Sequence, residues 1–192
     1  MTTDTAHYHL FETAIGLCGV AWNTCGLVGV QLPEKDRETT ERRLAAKSHS
    51  TAGDPPLWVA ALIADIQKYC AGEKIDFSNV AVDLGGMDDF SRKIYTALRG
   101  IGFGNTVTYG DLAKQLGLEG WEGARDIGAA MDHNRVPIVI PCHRVLAAGN
   151  KPGGFSAYGG IKTKQKLLAL EGVSLEKPEK KPASEPPRLP GL

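Results

Sequence analysis

Residues 136–145, which read V-P-I-V-I-P-C-H-R-V, constrain this chain more than any other stretch. A short β-branched apolar run bounded by prolines predicts a buried strand. Pro141 has no N–H to give a sheet ladder, so the strand is expected to stop there and pass Cys142 to a loop. The thiol then stands beside the imidazole of His143 and the guanidinium of Arg144, an electropositive setting that favours the thiolate. The bland alternative is a buried, inert cysteine. What flanks the run decides between them.

Upstream, residues 8–32 alternate or run apolar around glycines and predict one or two strands closing as an antiparallel hairpin, with the turn at residues 23–26. Residues 34–50 are charged and predict an exposed helix, broken at residues 53–56. Residues 57–70 carry apolar positions at helical spacing, ended by Ala71 and Gly72. Residues 80–82 are a candidate returning strand. This first part, residues 1–87, reads as a small α+β scaffold without chemistry of its own. Cys18 and Cys25, with His7 and His9 nearby, match no zinc-ligand spacing.

From residue 88 the character changes. Residues 88–99 predict a helix with an acidic start suited to its dipole and Gly100 after its last turn. Residues 108–117 and 123–132 predict two short helices joined by a glycine-containing turn, a helix-turn-helix candidate. Residues 147–160 form a glycine-rich loop, and residues 162–172 a last amphipathic helix. Residues 173–192 are rich in Pro, Lys and Glu with little to bury, and are expected to be disordered.

The net charge of zero conceals a division. Residues 1–87 hold 7 basic and 11 acidic side chains, and residues 88–172 hold 11 basic and 8 acidic. The positive part carries Cys142 and so permits a polyanionic partner there. No apolar run reaches membrane-spanning length, and the N-terminus lacks a basic-then-apolar leader. Four scattered cysteines make no disulfide framework, which points to a reducing cytoplasm.

Three pieces occur in order with short gaps: T-V-T-Y-G-D-L-A, then A-R-D-I-G-A-A-M followed by Asn134, then P-C-H-R-V. A closing K-x-x-L-L-x-x-E-G ends at Gly172. Together they make residues 90–172 resemble the catalytic domain of the O6-alkylguanine-DNA alkyltransferases. Residues 8–87 look like that family's N-terminal α+β domain, which is ribonuclease-H-like in shape. The resemblance implies irreversible transfer of an alkyl group from O6-alkylguanine, and less so O4-methylthymine, to Cys142. It implies no cofactor and no metal, and a monomer acting on the minor groove of double-stranded DNA with the damaged guanine flipped out.

By the same resemblance His143 draws off the thiol proton through a water, Glu171 orients His143, and Asn134 supports the thiol and its turn. Tyr109 stands against the base and a phosphate, and Arg125 fills the gap in the duplex. Ala124, Gly128 and Ala129 keep the groove-facing helix slim, with Arg144 beside the DNA. Backbone carbonyls of Cys142 and Val145 read the guanine amino group. Tyr158 is the candidate pocket wall, in a lid reading F-S-A-Y-G-G where many members have G-Y-x-G-G. Arg135 replaces a common proline, and Asp126 and Asp132 add acid to the groove-facing helix, which weakens phosphate attraction.

Two other readings compete. A lesion sensor of the same fold would carry another residue in place of the cysteine. A Cys-His hydrolase would need an oxyanion hole, which nothing between the motifs suggests.

Overall fold

A computed structural model of the chain describes residues 5–118 and 120–175. Its first strands are β1 (Ala6–Thr13), β2 (Gly16–Asn23) and β3 (Gly26–Gln31), an antiparallel meander where one hairpin was expected. The turn at residues 23–26 stands as predicted, closed by Asn23 Oδ1 accepting from the amides of Cys25 and Gly26. The extra turn is the short one before Gly16, whose φ of +122° only glycine adopts readily. A short β4 (Ser50–Ala52) adds parallel to β1, giving the order β3-β2-β1-β4.

Two helices sandwich this sheet because alternate residues of a strand point to opposite faces. Gly19 of β2 lies under α1 (Arg37–Ser48), where a Cβ would stand 2.5 Å from Leu44 Cδ2. Its neighbours Cys18, Val20 and Trp22 join the main core with α2 (Leu57–Cys70). That helix buries Val59, Leu62, Ile66, Tyr69 and Cys70, a stripe at the predicted spacing. The expected strand at residues 80–82 is reduced to a single bridge from Val82 to Leu27.

The second part follows its predicted helices closely: α3 (Asp89–Arg99), α4 (Tyr109–Gln115), α5 (Gly120–Asp132) and α6 (Ile161–Leu170). Asp88 and Thr108 cap α3 and α4 by accepting from the amides of Ser91 and Asp111. One connected cluster of buried side chains runs from Phe11 of β1 to Leu167 of α6, so the two parts share a core. Most of the predicted disordered tail lies outside the described residues, and residues 173–175 leave α6 as coil.

The central expectation needs correction. Residues 136–140 form no strand, although all but the half-buried Pro137 are buried. They fold into a tight turn closed by the Ile140 amide donating to the Val136 carbonyl at 2.9 Å. Ile138 takes a φ of +74°, rare for a β-branched residue and costing on the order of 1–3 kcal/mol. Prolines at 137 and 141 remove the donors a ladder needs, and Asn134 supplies the closure instead. The sheet comes after the cysteine: β5 (Val107–Thr108) pairs in parallel with β6 (Val145–Leu146). That pairing ties the turn that follows Cys142 to the strand that leads into Tyr109.

Candidate active site

Cys142, His143 and Arg144 form a single buried 3-10 turn between Pro141 and β6. Three successive side chains in so tight a turn diverge, and each meets a different environment.

The Cys142 thiol receives a hydrogen bond from Asn134 Nδ2 at 3.2 Å. Asn134 also donates to the Ile140 carbonyl at 2.8 Å and accepts from the Val136 amide at 2.9 Å. One amide therefore staples the turn and donates to the sulfur. Burial pushes the thiol above its ordinary value, while Asn134 and the Lys164 ammonium pull it back. The resting group is a thiol rather than the thiolate expected from its neighbours.

His143 is fully buried, and its Nε2 lies 2.7 Å from Glu171 Oε1. Burial holds the imidazole below its ordinary pKa against the pull of Glu171, so it rests neutral and this contact is a hydrogen bond. Its other nitrogen, Nδ1, has no hydrogen-bond partner among the described residues.

Arg144 corrects a second expectation. Instead of facing DNA it is buried, donating from Nε to both oxygens of Glu171 at 2.9 and 3.1 Å and from a terminal nitrogen to Oε1 at 3.0 Å. It also donates to the Ile101 carbonyl. A buried guanidinium beside a carboxylate at the end of α6 makes a fork turned towards Glu171. The amide of Gly104 closes on Oε2 at 3.0 Å. Burial works against the Glu171 charge, yet His143 and Arg144 hold its pKa down at about 2.

Two residues escaped the sequence. Lys164 of α6 is fully buried, donating to the Val145 carbonyl at 2.6 Å and the Gly154 carbonyl at 3.3 Å, and burial lowers its pKa to about 8. Tyr69 of α2 donates to Glu171 Oε1 at 2.7 Å and lies 3.1 Å from His143 Nε2. The first part of the chain thus reaches the site, contrary to its reading as chemically silent. The one available signal was a tyrosine on an apolar helix stripe, since a buried phenol needs a polar partner.

A thiol held by an asparagine, next to a histidine backed by a carboxylate, supports nucleophilic chemistry. The model of the "6-O-methylguanine DNA methyltransferase, DNA binding domain" family matches residues 89–173. A methylated-DNA–protein-cysteine methyltransferase of Methanothermobacter thermautotrophicus is 32% identical over 82% of this chain and 81% of its own. One from Mycobacterium tuberculosis is 35% identical over 86% and 92%. Among solved structures, the Mycobacterium tuberculosis OGT in complex with DNA aligns with a TM-score of 0.69 at 34% identity, over 86% of this chain and 92% of that one. The chain belongs to the methylated-DNA–protein-cysteine methyltransferase family.

The remaining positions named from family resemblance lie on α4, α5, β6 and the glycine-rich loop. Tyr109 opens α4, with Lys164 Nζ 5.9 Å from its ring centre. Its ring passes close to Gly128 of α5 and Gly153 of the glycine-rich loop. Arg125 and Ala129 are exposed on α5, Ala124 and Gly128 half-buried, while Ile127, Ala130 and Met131 face the core. Arg125 lies 3.6 Å from Asp126. The Val145 side chain is buried and its carbonyl is held by Lys164. Tyr158 is half exposed, and its own carbonyl accepts from the Thr163 hydroxyl at 2.5 Å.

Proposed function

We propose that this protein repairs alkylated DNA by moving the alkyl group of O6-alkylguanine, and less so of O4-methylthymine, onto Cys142, once per molecule. The Cys142 thiol gives its proton through a water to His143 Nδ1. The sulfur then attacks the methyl carbon, the carbon–oxygen bond breaks, and its electrons return to the guanine. The imidazolium so formed keeps its other proton on Nε2 against Glu171. The observation that carries this reading is that Nδ1 has no partner among the described residues while Nε2 is committed to Glu171. A histidine with Nε2–H held by a carboxylate keeps its lone pair on Nδ1, the form that can act as a base. No cofactor enters this scheme.

α4 and α5 are read as a helix-turn-helix, with α5 laid in the minor groove of double-stranded DNA. Ala124, Gly128 and Ala129 keep its groove face slim, and Arg125 fills the space left by the flipped guanine. Flipping costs about a few kcal/mol, which contacts of this kind repay. Tyr109 faces the base, the Cys142 and Val145 carbonyls read its amino group, and Tyr158 walls the pocket. Residues 1–87, ribonuclease-H-like in shape, brace residues 88–172. The protein is read as a monomer of the cytoplasm. Among the described residues no helix is long and apolar enough to cross a membrane.

Mass spectrometry after incubation with an O6-methylguanine duplex tests the acceptor. One methyl is expected on Cys142 and none on Cys18, Cys25 or Cys70. Transfer at the normal rate by Cys142→Ala would sink the assignment.

A further inference from the structure

We infer that Tyr69, a residue of the N-terminal part, is a positioning residue for methyl transfer: its phenol keeps the Glu171 carboxylate shared between Arg144 and His143, and so keeps the histidine proton on Nε2. The inference rests on Cys142 as acceptor and His143 Nδ1 as base.

Glu171 Oε1 has competing claims on it. Arg144 reaches it with two nitrogens, and with Nε also reaching Oε2 the pair is a charged fork. His143 approaches the same oxygen as a neutral ring. A carboxylate left to these two follows the full positive charge, because charge-assisted forked bonds are the stronger. Tyr69 opposes that drift. Its hydroxyl lies at 2.7 Å from Oε1 and 3.1 Å from Nε2, closing a triangle with the His143–Glu171 bond.

The phenol has one proton, and the shorter contact to a carboxylate takes it. Burial, and then the Glu171 charge, hold Tyr69 far above the ordinary range of a tyrosine, so that proton stays on the oxygen. The phenol oxygen therefore offers Nε2 a lone pair, which can be satisfied by an Nε2–H and not by a bare nitrogen. Glu171 and Tyr69 then select the same tautomer, and Nδ1 is left as the basic nitrogen. The titratable and charged groups that act on the ring are Glu171 and Lys164 from α6, Arg144 from its own turn and Tyr69 from α2.

The ring of Tyr69 is itself fixed, edge-on to Phe77 at 5.8 Å and to Phe103 at 6.1 Å. The substitution Tyr69→Phe keeps those contacts and removes the hydroxyl alone. Nitrogen-15 labelling of histidine reads the His143 tautomer directly, without substrate. Wild type is expected in the Nε2–H form and Tyr69→Phe in a mixture with Nδ1–H. Single-turnover transfer from an O6-methylguanine duplex should slow roughly three- to ten-fold in the variant, the effect of one hydrogen bond, with a displaced pH profile. Binding to undamaged duplex should be unchanged. An unchanged tautomer with an unchanged pH–rate profile would overturn the inference, even if the melting temperature dropped, because Tyr69 would then only pack. A wild type that methylates a residue other than Cys142 would overturn the acceptor reading and this one with it. A wild type that methylates Cys142 beside an unmoved variant overturns this one alone.

Discussion

Cys142 and its two neighbours share one turn but lie in opposite kinds of surroundings. The thiol has Asn134 as its hydrogen-bonding side chain and a partly compensated burial. One residue on, the carboxylate of Glu171 gathers His143, Arg144, Tyr69 and the Gly104 amide. Polar groups are concentrated on His143 and Glu171, while the Cys142 thiol is left neutral and lightly held. Such a division suits the proposed reaction, in which sulfur leaves its contacts to take a carbon while the histidine receives a proton without moving. The same division predicts the largest loss of stability from damage on the carboxylate side, and from damage on the thiol side a smaller change joined to a shift in thiol reactivity.

The strongest way to break the contrast is Glu171→Gln. It keeps the shape but removes the anion that neutralises buried Arg144, so folding should weaken on the order of 3 kcal/mol. Methyl transfer should slow by roughly 10- to 1000-fold as the imidazolium loses its counter-charge. The pH dependence has a definite sign. The carboxyl is depressed in the fold, from 4.5 to about 2. Its contribution is therefore complete above pH 4.5 and lost as pH falls towards 2. Urea unfolding across that range should show wild type and variant converging at the acid end. A constant gap between them would mean that the Glu171 charge contributes nothing and the residue only closes α6.

The two sides were not equally legible in the sequence. The ordered motifs carried Cys142, His143, Asn134 and Glu171, because each lies in a short stretch of distinctive residue types. Helices α2, α3 and α6 were readable because apolar stripes, acidic starts and terminal glycines are local signals. The turn at residues 136–140 was misread because β-branched apolar residues signal burial, and burial looked like a strand. The prolines at 137 and 141 were the contrary signal, as they strip the run of ladder donors. Arg144 and Tyr69 were out of reach for a different reason. Both roles depend on contacts between residues far apart in the chain, Tyr69 with Glu171 and Arg144 with Ile101 and Glu171. No local pattern encodes such pairings.

Lys164 sharpens the thiol side. Its ammonium is buried against two carbonyls, with no ion pair to a carboxylate among the described residues, and burial lowers its pKa from 10.5 to about 8. Below pH 8 it is charged in both folded and unfolded states and burdens the fold. As pH rises from 8 to 10.5 the folded chain releases that proton first, so stability should rise by about 3 kcal/mol from this group. Lys164→Met should lack that gain, and the difference between the two proteins is what isolates it from other titrations. The same ammonium pulls the Cys142 pKa down, so the variant should also react more slowly with a neutral alkylating reagent. A stability difference that does not vary over this range would mean the ammonium is solvated despite its burial.

The smallest effect, and the most local, is expected at Asn134. Asn134→Ala strips the donor from the thiol, the acceptor from the Val136 amide and one of the donors to the Ile140 carbonyl. The Ile140 carbonyl keeps the Cys142 amide, so the Val136 N–H is the group left without its partner. Folding should weaken by about 1–3 kcal/mol, the cost of one buried donor left unmade. Burial then acts on the thiol with less opposition, so its pKa should rise further and the thiolate fraction at neutral pH fall. Asn134→Asp separates the two roles. A carboxylate still accepts from Val136 but cannot donate to sulfur, and its charge repels the thiolate. It should therefore recover part of the stability while raising the thiol pKa beyond that of the alanine variant. Urea unfolding reads the first quantity, and the pH dependence of thiol alkylation reads the second. If the two variants moved both quantities together, Asn134 would be acting only through the turn. The Cys142 thiol would then owe its reactivity to Lys164 and the backbone amides.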